Sequence, residues 1–233
     1  MTFGLLQADH ARTDLQSRFG DYPDIFSAFL KKSGLPAINR IYDLQANHFP
    51  KTVDDCDVYL ITGSKSSVYE EAVWIKQLIA FTQHAFSAKK KLLGICFGHQ
   101  MLAHALGGRT VKSEKGWGVG LKTFSLLKQK TWMEPPLSEV SLLYSHQDQV
   151  QILPPGSELL GGNDFCPHQM FCMGNQVLGI QGHPEFTPDY LSALMEPRIP
   201  IIGVERHAEA AASLDKPSDA KVIGQWMIRF LNQ

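Results

Sequence analysis

The sequence has no long apolar run and no excess of charge of either sign. A membrane-spanning helix needs about 20 consecutive apolar residues, and no such run occurs in the 233 residues. Lysine and arginine number 22 against 23 aspartate and glutamate, so the chain lacks the basic excess typical of nucleic-acid-binding proteins. We therefore expect neither a membrane nor a nucleic acid as a partner.

Cysteine is also scarce, with four residues in the whole chain. Four cysteines are too few for the disulfide framework of a small secreted protein. The first ten residues, MTFGLLQADH, lack the basic region and the apolar stretch of a signal peptide. These absences predict free thiols and a cytoplasmic location.

No feature divides the chain into independent units. Internal repeats, low-complexity segments and linkers rich in proline, glycine and serine are all missing. With 44% hydrophobic and 19% charged residues, the composition is that of an ordinary globular protein. We expect residues 1–233 to form a single domain.

The N-terminal half alternates short apolar runs with helical patterns. The predicted strands are residues 3–7, 41–44, 58–62 and 92–95. The predicted helices are DYPDIFSAFLKKSG, capped by Asp21, then residues 70–86, with Val73 on the buried face, and residues 97–106. Residues 8 to about 22 show little periodicity and are expected to form a loop. Strands separated by helices predict a parallel sheet with helices on both faces.

The pattern changes after about residue 110. Short apolar runs separated by turns predict antiparallel strands attached to the parallel sheet as far as residue 178. A final helix follows, which Ser218 is placed to cap. The predicted fold class is α/β, with a mostly parallel central sheet, helices on both faces and a small antiparallel sheet.

The most informative segment is KKLLGICFGHQMLAHALGG. An apolar strand ends in Gly94-Ile95-Cys96-Phe97-Gly98 and a helix follows at once, which is the cysteine form of a nucleophile elbow. The flanking glycines leave room for a strained turn, and the positive end of the helix favours a thiolate at Cys96. A buried structural cysteine is the alternative for a strand followed by a helix, but the two glycines favour a nucleophile.

A thiolate nucleophile needs a base and a group that orients the base. His183-Pro184-Glu185 directly follows the apolar run VLGIQG. Residues two apart in extended chain project to the same face, and Pro184 favours an extended His183. We therefore predict that Glu185 orients His183, which acts as general base and acid for Cys96.

GICFGHQ followed far downstream by GIQGHPE closely resembles the class I, triad-type glutamine amidotransferases, over residues 3 to about 190. The resemblance implies a flavodoxin-like fold and attack of Cys96 on the carboxamide of glutamine, with release of ammonia through a thioester. It also implies the catalytic set Cys96, His183 and Glu185.

Further site residues follow from the same resemblance. The backbone N–H of Phe97, the residue after the nucleophile, is one expected oxyanion-hole donor. The segment Thr62-Gly63-Ser64-Lys65 matches a Gly-Gly-Pro-like loop, so Ser64 N–H is the expected second donor, although serine replaces the usual glycine and no proline follows. The expected substrate-binding residues are Gly63, Gln100, Trp117 in WGVG, and His146. His146 in SHQDQV either lines the site or forms a structural turn with Asp148.

SKSSVYEEAVWI and SHQDQV resemble a standalone subgroup similar to the glutaminase domain of GMP synthase and to plant γ-glutamyl peptidases. No SGGxDS phosphate loop occurs, so this chain alone is not expected to make GMP. The leading hypothesis is hydrolysis of glutamine, with ammonia passed to a separate synthase subunit. The alternatives are a γ-glutamyl peptidase acting on peptides or glutathione conjugates, and a catalytically silent regulatory subunit.

We expect no cofactor and no metal. Cys166, His168 and Cys172 lack both the paired C-x2-C spacing and the fourth ligand of a zinc site, and they are predicted to be strand residues. A related group of peptidases and glyoxalases shares the elbow but has no HPE motif, so that motif favours the amidotransferase family.

Overall fold

The computed structural model describes residues 1–233 and contains two sheets. The strands are β1 (Phe3–Gln7), β2 (Arg40–Asp43), β3 (Val58–Ile61), β4 (Lys91–Ile95), β5 (Arg109–Lys112), β6 (Gly118–Leu126), β7 (Glu139–His146), β8 (Asp148–Ile152), β9 (Glu158–Gly162), β10 (Met170–Met173) and β11 (Val177–Ile180). The large sheet has the order β2-β1-β3-β4-β11-β10-β9-β6-β7, and β5 pairs with β8 in the small one.

Helices surround the large sheet. They are α1 (Thr13–Phe19), α2 (Tyr22–Ser33), α3 (Val73–Ser87), α4 (Phe97–Ala105), α5 (Pro188–Met195), α6 (Ile199–Ile202), α7 (Val204–Ser213) and α8 (Ala220–Leu231). Short 3-10 turns lie at Val53–Asp55 and Glu196–Arg198. No helix combines the length and the apolar character needed to cross a bilayer.

The large sheet changes direction at β11. Strands β2, β1, β3, β4 and β11 are parallel, whereas β10, β9, β6 and β7 continue the sheet in antiparallel pairs. Only β5 and β8 stand apart, as a small antiparallel sheet. The predicted fold class is confirmed, with the antiparallel region attached to the edge of the parallel one.

The parallel strands are buried on both faces. In β1, Phe3 and Leu5 pack into a core cluster with residues of α2 and α8. Leu6 points to the opposite face, into a cluster with residues of α3 and α4. Because side chains alternate along a strand, helices on both faces require strands that are apolar at every position, and this explains the continuous apolar runs in the sequence.

Four local predictions differ from the structure. Cys166 and His168, expected in strands, lie in the loop between β9 and β10, and only Cys172 is a strand residue. Residues expected as loop contain α1, whose only buried residue is Leu15; one buried position gives no helical periodicity, and the helix is held by contacts such as Phe19 against Tyr190, with ring centroids 5.4 Å apart. Helix α3 begins at Val73, which is 70% exposed rather than buried. Ser218 does not cap α8, whose N-cap residue is Asp219. The predicted cap at Asp21 is confirmed, since its carboxylate accepts from Tyr22 N–H at 2.7 Å.

Candidate active site

Cys96 occupies the turn between β4 and α4. Its backbone has φ 54° and ψ −102°, an uncommon conformation for a residue with a side chain. Strain of this kind costs on the order of 1–3 kcal/mol and persists where the surrounding structure fixes it. Here the Cys96 N–H donates to the Ile180 carbonyl at 2.9 Å, so the neighbouring strand β11 fixes the turn.

The two glycines of the turn are required by close backbone contacts. A Cβ atom on Gly94 would lie 2.4 Å from the backbone of Gly98, and one on Gly98 would lie 2.2 Å from the Ile61 carbonyl oxygen. Neither neighbour is a side chain that can rotate away. The first turn of α4 is therefore pressed against β3 and β4, and its N-terminus is held at the end of the sheet beside Cys96.

His183 follows β11 and is fixed on three sides. Its Nδ1 lies 2.7 Å from Oε1 of Glu185, with both side chains almost completely buried. The Phe186 ring stacks on the imidazole at a centroid distance of 3.8 Å and an interplanar angle of 5°. The His183 N–H donates to the Leu143 carbonyl at 2.8 Å. These contacts orient the ring and leave Nε2 as the nitrogen that faces away from Glu185.

The environment of His183 favours its charged form. Burial by itself lowers the pKa of His183, but the Glu185 carboxylate and the adjacent Cys96 side chain outweigh burial and raise it to about 10. A buried imidazolium is stabilised by a charged neighbour on either side. The pair is therefore suited to hold a proton beside Cys96 at neutral pH.

The turn after β3 approaches the same point. A Cβ atom on Gly63 would lie 3.1 Å from His183 Cε1 and 3.9 Å from Cys96 Cβ, so the backbone of this turn packs directly against both residues. Thr62 is fully buried, and its hydroxyl donates to the Gly63 carbonyl at 3.0 Å. The turn is thus held from inside the fold.

A second anchor holds the next residues of this turn. The buried carboxylate of Asp9 accepts from Lys65 N–H at 2.9 Å and from the Ser64 hydroxyl at 3.4 Å. It also pairs with Lys65 Nζ at 3.1 Å. Asp9 follows β1 and Lys65 follows β3, which are adjacent parallel strands. This pair therefore ties together two loops at the carboxyl edge of the sheet, where α/β proteins bind ligands.

One cavity of about 920 Å³ brings most of the predicted site residues together. It is lined by Ser64, Cys96, Gln100, Trp117, His146 and His183. Glu185 lies behind His183, away from the cavity. Gly63 contributes backbone packed against His183, and Phe97 is buried at the start of α4.

Gln100 and His146 are joined through Asp148. Gln100 Nε2 donates to the Asp148 carbonyl at 2.8 Å and to Gln181 Oε1 at 3.1 Å, while Gln100 Oε1 has no protein partner. His146 Nδ1 donates to the same carbonyl at 2.9 Å. Burial lowers the pKa of His146 to about 4, so this ring is neutral. Gln100 Oε1 and His146 Nε2 are therefore hydrogen-bond acceptors that have no partner within the protein.

Several residues around the cavity carry no local signal in the sequence. Thr62, Asp9 and Arg198 reach the site from separate segments, and only the tertiary structure brings them together. Phe186 is the exception, because it directly follows the HPE motif. An aromatic residue so close in sequence to His183 could have indicated that its ring packs against the imidazole.

Comparison with known proteins gives consistent matches. The family model described as glutamine amidotransferase class-I matches residues 35–196. γ-Glutamyl peptidase 5 of Arabidopsis thaliana is 30% identical over 203 residues, which cover 83% of this chain and 79% of the relative. GMP synthase of Aquifex aeolicus is 30% identical over 129 residues, 55% of this chain and 24% of that longer protein.

A solved structure shows the same fold. The crystal structure of a glutamine amidotransferase from Thermotoga maritima superposes with a TM-score of 0.79 over 100% of this chain and 99% of the other, at 16% identity. The similarity in fold and the match over most of the chain agree with the motifs around Cys96 and His183. This chain belongs to the class I glutamine amidotransferase family.

Proposed function

We propose that this protein hydrolyses a γ-glutamyl amide bond through a thioester on Cys96. The observation that carries the proposal is the placement of Cys96 on a strained turn in a large cavity, beside a buried His183–Glu185 pair. A nucleophile, a base and a group that orients the base are the elements of a catalytic triad. Cys96, His183 and Glu185 supply them in that order along the chain.

The reaction proceeds in two halves. In the first half, with the proton of the Cys96 thiol already held on His183, Cys96 Sγ attacks the carbonyl carbon of the γ-glutamyl amide. The tetrahedral intermediate collapses as His183 returns the proton to the leaving nitrogen, so ammonia or an amine departs and a thioester remains. A water molecule then gives a proton to His183 and attacks the thioester. The bond to Cys96 Sγ breaks, glutamate departs, and the proton remains on His183 as at the start.

The negative oxygen of each tetrahedral intermediate needs two donors. We assign these to the backbone N–H groups of Phe97, at the start of α4, and of Ser64. In a trans peptide the C=O and the N–H point in opposite directions. Because the Gly63 carbonyl accepts from the Thr62 hydroxyl, the Ser64 N–H of the same peptide points away from Thr62. It has no acceptor within the protein, which supports its role as a donor.

Two observations favour a substrate larger than glutamine. The cavity of about 920 Å³ lies near the upper end of the roughly 300–1,000 Å³ found for pockets that bury drug-sized ligands. The Arabidopsis relatives that match most of this chain are named γ-glutamyl peptidases. We therefore place γ-glutamyl peptides beside glutamine as substrates, and we rank a silent regulatory subunit last because the triad residues are all present.

The test compares three forms of the purified chain on glutamine and on a panel of γ-glutamyl peptides, with glutamate release as the readout. We expect the unmodified chain to turn over at least one compound. Cys96→Ala should lose at least about a thousandfold in rate. The control Cys172→Ala, in β10 away from the cavity, should keep its rate. Activity of Cys96→Ala above a few per cent would contradict the mechanism.

A further inference from the structure

We propose that Arg198 binds a carboxylate group of the substrate; this inference rests on the proposed γ-glutamyl chemistry. Arg198 ends the short turn after α5 and lines the cavity that contains Cys96. It is half-buried. It lies outside every motif that the sequence brings forward.

The Arg198 side chain is held in place by polar and aromatic contacts. Its Nη1 donates to the Ser145 hydroxyl at 3.0 Å. Its guanidinium carbon lies 5.8 Å from the centroid of the Trp117 ring, within the range of a cation–π contact. These contacts fix the guanidinium at the cavity wall but use only part of its five N–H donors.

Arg198 also lacks an ionic partner. The lysine and arginine side chains that line the cavity are Arg12, Lys65, Lys112 and Arg198. Arg12 pairs with Asp14 at 2.6 Å and Lys65 pairs with Asp9 at 3.1 Å. No carboxylate lies within 4.0 Å of Arg198, and the remaining unpaired cation, Lys112, is exposed to solvent.

This combination is typical of a ligand-binding arginine. A guanidinium presents its donors in a planar fork that matches the two oxygens of a carboxylate. A cation that is partly removed from water is stabilised when a ligand supplies the opposite charge. The unused donors and the unpaired charge of Arg198 therefore point to a carboxylate as the missing partner.

The distance to the reaction centre suits a γ-glutamyl compound. Ser145, which holds Arg198, lies two residues along β7 from Leu143, whose carbonyl binds the His183 N–H. Two residues of a strand span about 7 Å. A γ-glutamyl substrate has one carboxylate at its α-carbon, and a γ-glutamyl peptide has a second beyond the scissile bond. Either group is several bonds from the reacting carbon.

The test measures binding rather than turnover, in full-length Cys96→Ala so that the ligands stay intact. Titration calorimetry with γ-glutamylglycine, γ-glutamylglycinamide and glutamine is performed with and without Arg198→Gln. We expect Arg198→Gln to weaken binding roughly tenfold to a hundredfold, as for loss of a charged hydrogen bond. Arg198→Lys should restore part of the affinity. The control Lys31→Gln removes an exposed charge of α2 outside the cavity and should change the affinity less than about twofold.

The three ligands identify the carboxylate. A loss confined to γ-glutamylglycine places Arg198 at the carboxylate of the leaving group, and an equal loss for all three places it at the α-carboxylate. The inference is overturned if Arg198→Gln binds every compound as tightly as its parent, if neither form binds any of them, or if Arg198→Lys is no better than Arg198→Gln. Arg198-dependent binding to a chain that hydrolyses nothing would refute the proposed function and leave the carboxylate site standing.

Discussion

At the scale of single residues, the four cysteines differ in their surroundings. Cys96 lines the cavity, whereas Cys56, Cys166 and Cys172 do not. Burial raises the pKa of all three of these other thiols, that of Cys166 to about 12. A thiol with a raised pKa forms little of the thiolate that reacts with electrophiles.

We expect a diazo-ketone analogue of glutamine to label one thiol of the four. Cys96 alone combines access from the cavity with a neighbouring His183 of raised pKa. Peptide mapping after labelling at neutral pH should place the adduct on Cys96. Glutamine added in excess should slow the labelling. An adduct mainly on Cys56, or equal labelling of all four, would count against an activated nucleophile.

The charge of Glu185 should set the pH range of activity. Glu185→Gln keeps an oxygen near His183 Nδ1 but removes the carboxylate that, with Cys96, raises the pKa of His183 to about 10 against the effect of burial. We expect the alkaline limb of kcat/KM to move to lower pH in Glu185→Gln, together with a lower kcat. The control is Glu158→Gln, which removes a partly exposed carboxylate that pairs with Lys130 outside the cavity, and it should leave the pH profile in place.

The same shift makes a prediction about stability. The pKa of His183 is higher in the folded chain than the value of about 6.5 expected in the unfolded chain. The stabilisation of the folded chain by protonated His183 is therefore fully present below about pH 6.5, and it is lost as the pH rises through about 10. The free energy of unfolding should fall more across this alkaline interval in the unmodified chain than in Glu185→Gln. If the free energy of unfolding fell equally with pH in both forms, Glu185 would not be the cause of the raised pKa of His183.

At the scale of elements, the turn after β3 carries Ser64, whose N–H we propose as the second oxyanion-hole donor. Compared with the Gly-Gly-Pro-like loop that it resembles, this turn has serine at the second position and no proline. Two buried side chains hold this turn in place by hydrogen bonds. Thr62 holds the Gly63 carbonyl from below, and Asp9 holds Lys65 and Ser64 from the adjacent loop.

Thr62→Val should impair catalysis more than binding. Valine has nearly the shape of threonine but cannot donate to the Gly63 carbonyl, and it also leaves the Ala8 N–H, which the Thr62 hydroxyl accepts at 2.9 Å, without a partner. With the Gly63–Ser64 peptide free to rotate, we expect kcat to fall by up to about a hundredfold, within the range for an impaired oxyanion hole, at nearly constant KM. Thr62→Ser, which retains the hydroxyl, should restore most of the rate. A change confined to KM would contradict this role.

At the scale of the whole molecule, the cavity is lined by residues from both the parallel and the antiparallel parts of the large sheet. Cys96 and the Thr62–Ser64 turn come from the parallel half, whereas Ser145 and His146 come from the antiparallel half. His183 follows β11, the strand that belongs to both. All of these segments belong to one chain.

We therefore expect the isolated chain to hydrolyse at least one γ-glutamyl compound without a partner. A misplaced Ser64 N–H would cost about 2.7–4 kcal/mol of transition-state stabilisation, but Thr62 and Asp9 already hold this turn in the free chain. Steady-state glutamate release by the purified protein is the measurement. A chain that is silent on every γ-glutamyl compound until a second protein is added would contradict this expectation and favour a partner-dependent glutaminase.

The sequence determined the elements whose signal is local. The G-x-C-x-G turn is recognisable because Gly94 and Gly98 are both required by contacts that no other residue permits. The HPE motif places its charge pair within three residues, and the apolar runs of the parallel strands follow from burial on both faces. Each of these features is written within a few consecutive residues, so the alternation of strands and helices and the candidate triad could be predicted before the structure.

Only the tertiary structure decided what surrounds the triad. Helix α1 has one buried residue and exists because α5 lies beside it, so periodicity could not predict it. Thr62, Asp9 and Arg198 are ordinary polar residues in the sequence, and their partners lie in separate segments or in the backbone. Their roles follow from distances and burial that arise when the sheet edge closes, because a hydrogen bond or an ion pair depends on position in space and not on separation along the chain.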